Sequence, residues 1–295
     1  MNRDFTNFDV GDFYTEIEEI KINIKRLFEV EGSLSEKRQE HRKFAKEINI
    51  DFNAVEGAYK LYRPSSIINI YTFVENLVKT YVYSILGNGH NDAITQFIKN
   101  KLPTERFVPG TKIDEIKKII KEFTPNAKDL KLFVKIFEYN DAMQTFNSCI
   151  NNRHEYAHRG NFTASYTEQD YKEIINVLYY LVDELYFCLS NITVRIEFQN
   201  KILKIKDNLE SLNLESLNEI EVSNRKEFNG ISKKIKSDAN SCIKLLKSLG
   251  SSTVAFKSDI YKKIEGDLKI LISLDLRKKT CYNKNYIIKK LKIFL

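Results

Sequence analysis

Proline is scarce in this chain of 295 residues, and the second half of the sequence contains none. The four prolines are Pro64, Pro103, Pro109 and Pro125, so the strongest helix breaker is missing from about the last 170 residues. Apolar residues recur at helical spacing along most of the chain, and glycine marks the ends of several such stretches. The sequence therefore predicts an all-α protein in which long helices pack as a bundle.

The spacing of apolar residues and of helix-ending residues predicts where these helices lie. The segment that starts at Thr167 is the clearest, because Asp170 follows three residues later in a capping pattern and an apolar stripe continues beyond it. The segment 251–256 fits a short strand or a loop. Helices are predicted over residues 12–31, 34–61, 65–86, 91–101, 112–123, 127–138, 141–159, 167–208, 225–248 and 257–274.

The cysteines are few and far apart, without a CxxC pair, which argues against a disulfide scaffold and against a cysteine zinc site. The longest apolar run covers only residues 177–182, and the first residues are acidic. We therefore expect no signal peptide and no membrane span. Reduced thiols fit a cytoplasmic protein best. The cysteines are Cys149, Cys188, Cys242 and Cys281.

Acidic residues become scarce towards the end of the chain, and the last 19 residues contain none. Residues 1–200 hold 26 basic and 29 acidic side chains, whereas residues 201–295 hold 21 and 11. We expect a domain boundary in the polar stretch 211–224, between a helical domain over 1–210 and a basic region over 211–295. The basic tail at the end of this region, residues 277–295, could bind the phosphates of RNA, or it could be a solvated helix face. Its RNA-binding candidates are Arg277, Lys278, Lys279, Lys289 and Lys290.

The stretch NNRHEYAHRG, residues 151–160, can be interpreted in two ways. His154, Glu155 and His158 form HExxH, the pattern in which two histidines bind zinc and the glutamate activates water. Such a site needs a third protein ligand. No histidine follows His158, so that ligand would be a glutamate such as Glu173 or Glu184, neither of which lies in a recognisable motif.

The second interpretation takes Arg153 with His158, five residues later, as an RxxxxH motif. This stretch resembles the ribonuclease motif of the HEPN superfamily, in which a polar residue such as His154 commonly follows the arginine. The helix predicted over 65–86 also resembles the family, which often places an aromatic and an acidic residue beside the site, here Tyr71 and Glu75. The resemblance covers about residues 55–195 and implies a HEPN-like helical bundle.

The resemblance also implies a mechanism without metal or cofactor. RNA cleavage of this kind needs a base for the ribose 2′-hydroxyl, a cation at the phosphate and an acid for the leaving oxygen. Arg153 would clamp the phosphate with its planar fork, and His158 would act as acid or second cation. The last turn of a helix is a favourable place for such a cation. His154 and Glu75 would be auxiliary residues.

We therefore predict an endoribonuclease that leaves 2′,3′-cyclic phosphate and 5′-hydroxyl ends. The resemblance implies a toxin or anti-phage effector that works as a homodimer with a composite site, with RNA as substrate and an antitoxin or regulatory protein as a further partner. Two alternatives stay open: a non-catalytic dimerising or RNA-binding adaptor, and the zinc protease. Arg153 could also be a buried structural residue that pairs with Glu75, and His158 a helix-capping histidine.

Overall fold

The computed structural model describes residues 5–60, 62–88, 106–160, 165–211, 225–249 and 256–273, and every regular element in these ranges is a helix. This confirms the predicted all-α class. The predicted helix 91–101, the boundary at 211–224, most of 251–256 and the basic tail with Arg277, Lys278, Lys279, Lys289 and Lys290 lie outside the described residues. The helices are α1 Val10–Glu36, α2 Arg38–Glu47, α3 Phe52–Lys60, α4 Tyr62–Asn88, α5 Ile113–Phe123, α6 Phe133–Ile136, α7 Asn140–Arg159, α8 Glu168–Ser211, α9 Arg225–Leu249 and α10 Asp259–Ser273.

The chain forms two compact units. The first contains Met1–Ile119 and Asn140–Val182, and the second contains Ile120–Tyr139 and Asp183–Leu295. The long helix α8 contributes to both units, and its backbone leaves helical geometry at Asn191. The division into domains 1–210 and 211–295 stays a prediction.

The first unit is built around α4, most of whose apolar residues are buried. Helices α1, α3 and α7 pack against it. The ring of Phe13 on α1 meets that of Phe73 on α4 edge-on at 5.8 Å. At the start of α4, the hydroxyl of Ser66 shares a 2.8 Å hydrogen bond with Tyr171 of α8. Helix α4 is thus the central element against which α1, α3 and α7 pack.

Helix α7 begins and ends where its sequence predicts. Its last backbone turn closes at Gly160, whose φ of 66° is accessible to glycine at no steric cost and whose N–H donates to the carbonyl of Tyr156. Apolar spacing along the predicted helix 141–159 places Phe146, Cys149, Ile150 and Ala157 on one stripe. Phe146, Cys149 and Ile150 are buried, whereas Ala157 is exposed together with the other residues of the last turn, His158 and Arg159.

Three predicted helix boundaries were wrong for local backbone reasons. Helix α1 continues through Gly32 to Glu36, because a lone glycine weakens a helix without ending it. The predicted helix 34–61 is broken between α2 and α3, where Asn49 has a φ of 63°. The predicted helix 127–138 is reduced to α6, which follows a turn with Asn126 at a φ of 65°. Asparagine tolerates this left-handed conformation, so it interrupts helices that periodicity alone extends.

The second unit encloses a buried charge cluster centred on Arg195 of α8, which is 0% exposed. Its guanidinium contacts the carboxylate of Glu184 at 2.8 Å and lies 4.0 Å from the ring centroid of Phe133. The second carboxylate oxygen of Glu184 accepts a hydrogen bond from the Tyr261 hydroxyl at 2.8 Å. The side chain of Gln199 completes the cluster, since it bonds the backbone of residues 129 and 131. Every polar group named here has a partner, as a buried cluster requires.

Among the described residues, one helix is long and apolar enough to cross a membrane by length and composition, namely Glu168–Ser211. Its most apolar window is 61% buried inside the protein, and core helices pass the same test. Asp183, Glu184 and Arg195 on this helix are all buried. The helix thus has the features of a core element.

Candidate active site

Arg153 lies on α7, facing α4, and its guanidinium stacks over the ring of Tyr71. The distance from the guanidinium carbon to the ring centroid is 4.2 Å, within the range of a favourable cation–π contact. Tyr71 is only 3% exposed, so the ring is a fixed platform for the arginine. Within the part of the chain that the structure describes, no carboxylate pairs with Arg153 and no hydrogen bond uses its guanidinium. Its donors remain available to a ligand.

His154 contacts the same tyrosine. Its imidazole meets the Tyr71 ring edge-on, with centroids 5.3 Å apart and an interplanar angle of 82°. Burial raises the pKa of Tyr71, the nearby carboxylate of Glu75 raises it further, and Arg153 opposes both effects. The tyrosine therefore stays neutral and acts as a support that positions two neighbouring side chains of α7.

Electrostatics favours the neutral form of His154. Partial burial is the largest cause that lowers its pKa, followed by the positive charges of Arg153 and Lys112; His158 acts in the same direction. Glu115 alone opposes this shift. A neutral imidazole has one nitrogen free to accept a proton, so His154 is suited to act as a base.

Lys112 is a site residue that the sequence analysis missed. It precedes α5, and Glu115 holds this turn because its Oε2 accepts the backbone N–H groups of Thr111 and Lys112, each at 3.0 Å. The next N–H, of Ile113, donates to Asn147 Oδ1 on α7 at 3.2 Å. The carboxylate of Glu115 thus caps the start of α5, and no ion pair among the described residues joins it to Lys112. The cap pattern was visible in the sequence, but its position beside α7 was not.

The remaining predicted residues lie around this cluster. His158 is exposed in the last turn of α7, one turn beyond His154, and Glu155 is exposed as well. Glu75 pairs with Lys79 on its own helix at 2.7 Å. Arg153 is therefore not neutralised by Glu75, which removes the alternative of a buried structural pair between them. The auxiliary role of Glu75 stays a prediction.

The zinc interpretation needs a third ligand near the two histidines. Across the residues that the structure describes, no group of three or more His, Cys, Asp or Glu side chains is placed to hold a metal ion. Glu173 accepts hydrogen bonds from Thr145 and Gln169. Glu184 is fully buried and paired with Arg195. Both glutamates considered as a third ligand are thus engaged elsewhere.

The lowered pKa of His154 gives a prediction for an NMR titration of the histidine ring protons. His154 should titrate below its ordinary value of about 6.5, and Lys112→Ala should raise its pKa because a positive neighbour is removed. The exposed Lys43 on α2 provides a control, Lys43→Ala, that should change nothing. Because the folded state disfavours protonation of His154, its contribution to stability is present above about pH 6.5 and is lost as the pH falls through the lowered pKa. Titration at or above the ordinary value would contradict the geometry.

Comparison with known proteins bears on the same region. The sequence model of the family described as RiboL-PSP-HEPN matches residues 33–191, more than half of the chain, and this match includes Tyr71, Arg153, His154 and His158. No curated protein and no solved structure matches the chain. The match supports a role in RNA cleavage or RNA binding. The chain belongs to the HEPN superfamily.

Proposed function

We propose that the protein is a metal-independent endoribonuclease of the HEPN type, with Arg153 and His158 as catalytic residues and with His154, predicted as an auxiliary residue, as the base. The observation that carries this proposal is the guanidinium of Arg153, stacked on Tyr71 beside His154 and free of any carboxylate partner in the described residues. A half-buried arginine without a counter-ion is costly unless it serves a ligand. A phosphate is the ligand that its planar fork fits best.

The reaction is an internal transfer within RNA. The ribose 2′-oxygen forms a bond to phosphorus, the bond from phosphorus to the 5′-oxygen of the next nucleotide breaks, and the products carry a 2′,3′-cyclic phosphate and a 5′-hydroxyl. A base takes the 2′-hydroxyl proton, and an acid gives a proton to the leaving 5′-oxygen. No water enters this step.

The three side chains of α7 divide these tasks. Arg153 holds the non-bridging oxygens and stabilises the charge that builds on them. His154, whose pKa is lowered by burial and by its positive neighbours, is the base. His158, exposed at the negative end of the helix dipole, is the acid. Lys112 adds a second positive charge beside His154.

We further propose that the active form is a homodimer whose two-fold axis brings two copies of this cluster together. The exposed position of His158 supports this arrangement, because its imidazole is open to a second protomer and to RNA. A two-fold interface presents the same surface from each subunit, so each protomer would supply an identical set of groups. One protomer would then supply the residue that acts as acid, and its partner would supply the residue that acts as base.

RNA is the proposed substrate, and the positive excess of residues 201–295 supports a role for that region in binding it. We propose a toxin or anti-phage effector in the cytoplasm, held in check by an antitoxin or regulatory protein. A non-catalytic adaptor is the second candidate function. The same unpaired arginine supports it, because a guanidinium on an aromatic platform binds phosphate whether or not cleavage follows.

A comparison of substrates separates the candidate functions. Purified protein is incubated with RNA and with casein, with and without a chelator, beside Glu155→Gln. The ribonuclease should cut RNA at an unchanged rate in chelator, and Glu155→Gln should keep that activity because Glu155 is exposed and outside the cluster. Casein cleavage that chelator and Glu155→Gln both abolish would establish a zinc protease instead. An adaptor would bind RNA and cut neither substrate.

A further inference from the structure

A pocket of about 430 Å³ lies in the first unit, where the end of α1, the start of α2, the end of α3 and the start of α4 meet. This volume lies within the range of sites that hold small ligands or parts of larger ones. Arg38, Lys60 and Arg63 supply three positive charges to its lining, and Glu31 and Glu56 supply two negative ones. None of these residues belongs to the Tyr71–Arg153 cluster.

Pairing within the pocket leaves one positive charge unbalanced. Arg38 contacts Glu56 at 2.9 Å, and Arg63 pairs with Glu31. Lys60 has no ion pair or hydrogen bond through its ammonium with any described residue. A ligand with a single negative charge would neutralise the pocket, whereas a neutral ligand would leave the ammonium of Lys60 uncompensated.

The donors left over in the pocket suit a phosphate group. Arg38 uses only one terminal nitrogen of its guanidinium on Glu56, and its side chain is 51% exposed, so its other donors face solvent. An arginine fork beside an ammonium is a common arrangement for phosphate oxygens. Tyr59 adds an aromatic wall that is held in place by a hydrogen bond from its hydroxyl to the carbonyl of Leu27. Bases stack on such walls in proteins that bind single-stranded RNA.

The pocket lies close to the proposed active site within the same unit. Arg63 and Tyr71 are both on α4, eight residues apart, which corresponds to about 12 Å along the helix. Arg63 also bonds Ser165, which follows the end of α7, at 3.2 Å. This bond places Ser165, six residues beyond the end of α7, beside Arg63 of the pocket lining. At about 3.4 Å per nucleotide, 12 Å corresponds to three or four stacked nucleotides.

We propose that this pocket binds a backbone phosphodiester of single-stranded RNA, a few nucleotides away from the bond that Arg153 and His158 act on. Lys60 and Arg38 hold the phosphate oxygens, and Tyr59 contacts a neighbouring base. A phosphodiester carries the single negative charge that balances Lys60. The inference rests on the proposed function, because it makes the pocket a second contact for the same RNA strand.

The test measures binding of labelled RNAs of 3 and 12 nucleotides by fluorescence anisotropy over a range of salt concentrations. Lys60→Ala and Arg38→Ala should each weaken binding of the 12-mer by about tenfold or more, the loss expected for one charge-assisted contact. Each variant should also reduce the steepness with which the logarithm of the binding constant falls against the logarithm of the salt concentration. The expected reduction is about 0.7, the value for one phosphate contact on a single strand. The 3-mer cannot span both sites and can bind at Arg153 without the pocket, so its affinity should change less than that of the 12-mer. Lys60→Arg should restore binding, and Lys43→Ala should have no effect.

Cleavage is followed separately, so the two proposals can fail independently. A wild-type protein that binds the 12-mer through Lys60 and Arg38 but never cuts it would overturn the nuclease and keep the pocket. A protein that cuts RNA while both variants bind the 12-mer normally would overturn the pocket. A free mononucleotide that binds the pocket as tightly as the 12-mer would also overturn it, because the ligand would then be a small molecule. No binding of RNA at all would overturn both.

Discussion

Replacing Arg195 by methionine is expected to lower the free energy of unfolding by about 3–5 kcal/mol. Methionine fills much of the same space, so the loss comes mainly from Glu184, which is 0% exposed and would keep a charge with no cation beside it. The contact of the guanidinium with Phe133 would be lost as well. Urea denaturation followed by circular dichroism measures the change.

Two further variants test this explanation. Arg26→Met, at an exposed position on α1, makes the same chemical change and should stay within about 0.5 kcal/mol of the wild type. Adding Glu184→Leu to Arg195→Met should recover much of the loss, because no unpaired charge remains. If Arg195→Met alone cost less than about 1 kcal/mol, the buried pair would not stabilise the second unit as we describe.

Replacing Arg153 by alanine is expected to reduce RNA cleavage by about 100- to 1000-fold, the loss that follows removal of one group that stabilises transition-state charge. Stability should change little, because Arg153 makes no ion pair with any described residue. Arg153→Lys should recover only a small part of the activity, since an ammonium cannot hold two phosphate oxygens or stack on Tyr71 as the planar guanidinium does. Single-turnover cleavage of a labelled RNA provides the rates.

Arg159→Ala provides the matched control for this variant. Arg159 is also on α7, in its last turn, and it is exposed. Its removal takes away one positive charge near the site without touching Tyr71. We expect cleavage within a few-fold of the wild type, and an equal loss in both variants would mean that general positive charge, rather than the stacked guanidinium, supports activity.

Periodicity and end signals predicted the helices that carry the site. The bounds of α7 follow from a polar start and from Gly160, and α4 follows from its apolar spacing; both signals are local and therefore readable in the sequence. Local signals failed where the chain turns through an asparagine. The left-handed conformations of Asn49 and Asn126 depend on the surrounding packing as well as on the residue type. The periodicity of apolar residues does not report such conformations, so the predicted helices extended through or up to these positions.

The site was predictable in its parts but not in its contacts. Arg153 and His154 were found from the motif, and Tyr71 was found as the aromatic residue of an upstream helix, α4. That Tyr71 contacts both, whereas Glu75 turns to Lys79, depends on how α4 and α7 are rotated against each other. The sequence gives no information on that rotation, because Tyr71 and Glu75 lie one turn apart on the same side of α4.

Contacts between distant parts of the chain were beyond the sequence analysis. Lys112 is about forty residues from His154 in the sequence, and its turn is fixed on α7 by Asn147. The buried pair of Glu184 and Arg195 lies on one helix at positions eleven residues apart. An unbroken helix would separate these positions by about 16 Å along its axis, so periodicity does not predict their contact. A charged residue within an apolar stripe suggests such a pair, but the sequence does not identify the partner.

The most direct test of the account is the chemistry of the cleaved ends. In the presence of chelator, an RNA cut by the wild-type protein should carry a 2′,3′-cyclic phosphate on one fragment and a 5′-hydroxyl on the other, as mass spectrometry can show. The same oligonucleotide with a single 2′-deoxy sugar at the cleaved position should resist cutting there, because its attacking hydroxyl is missing. Cleavage of the deoxy-substituted strand at that bond, or fragments with a 5′-phosphate, would contradict the roles given to Arg153, His154 and His158.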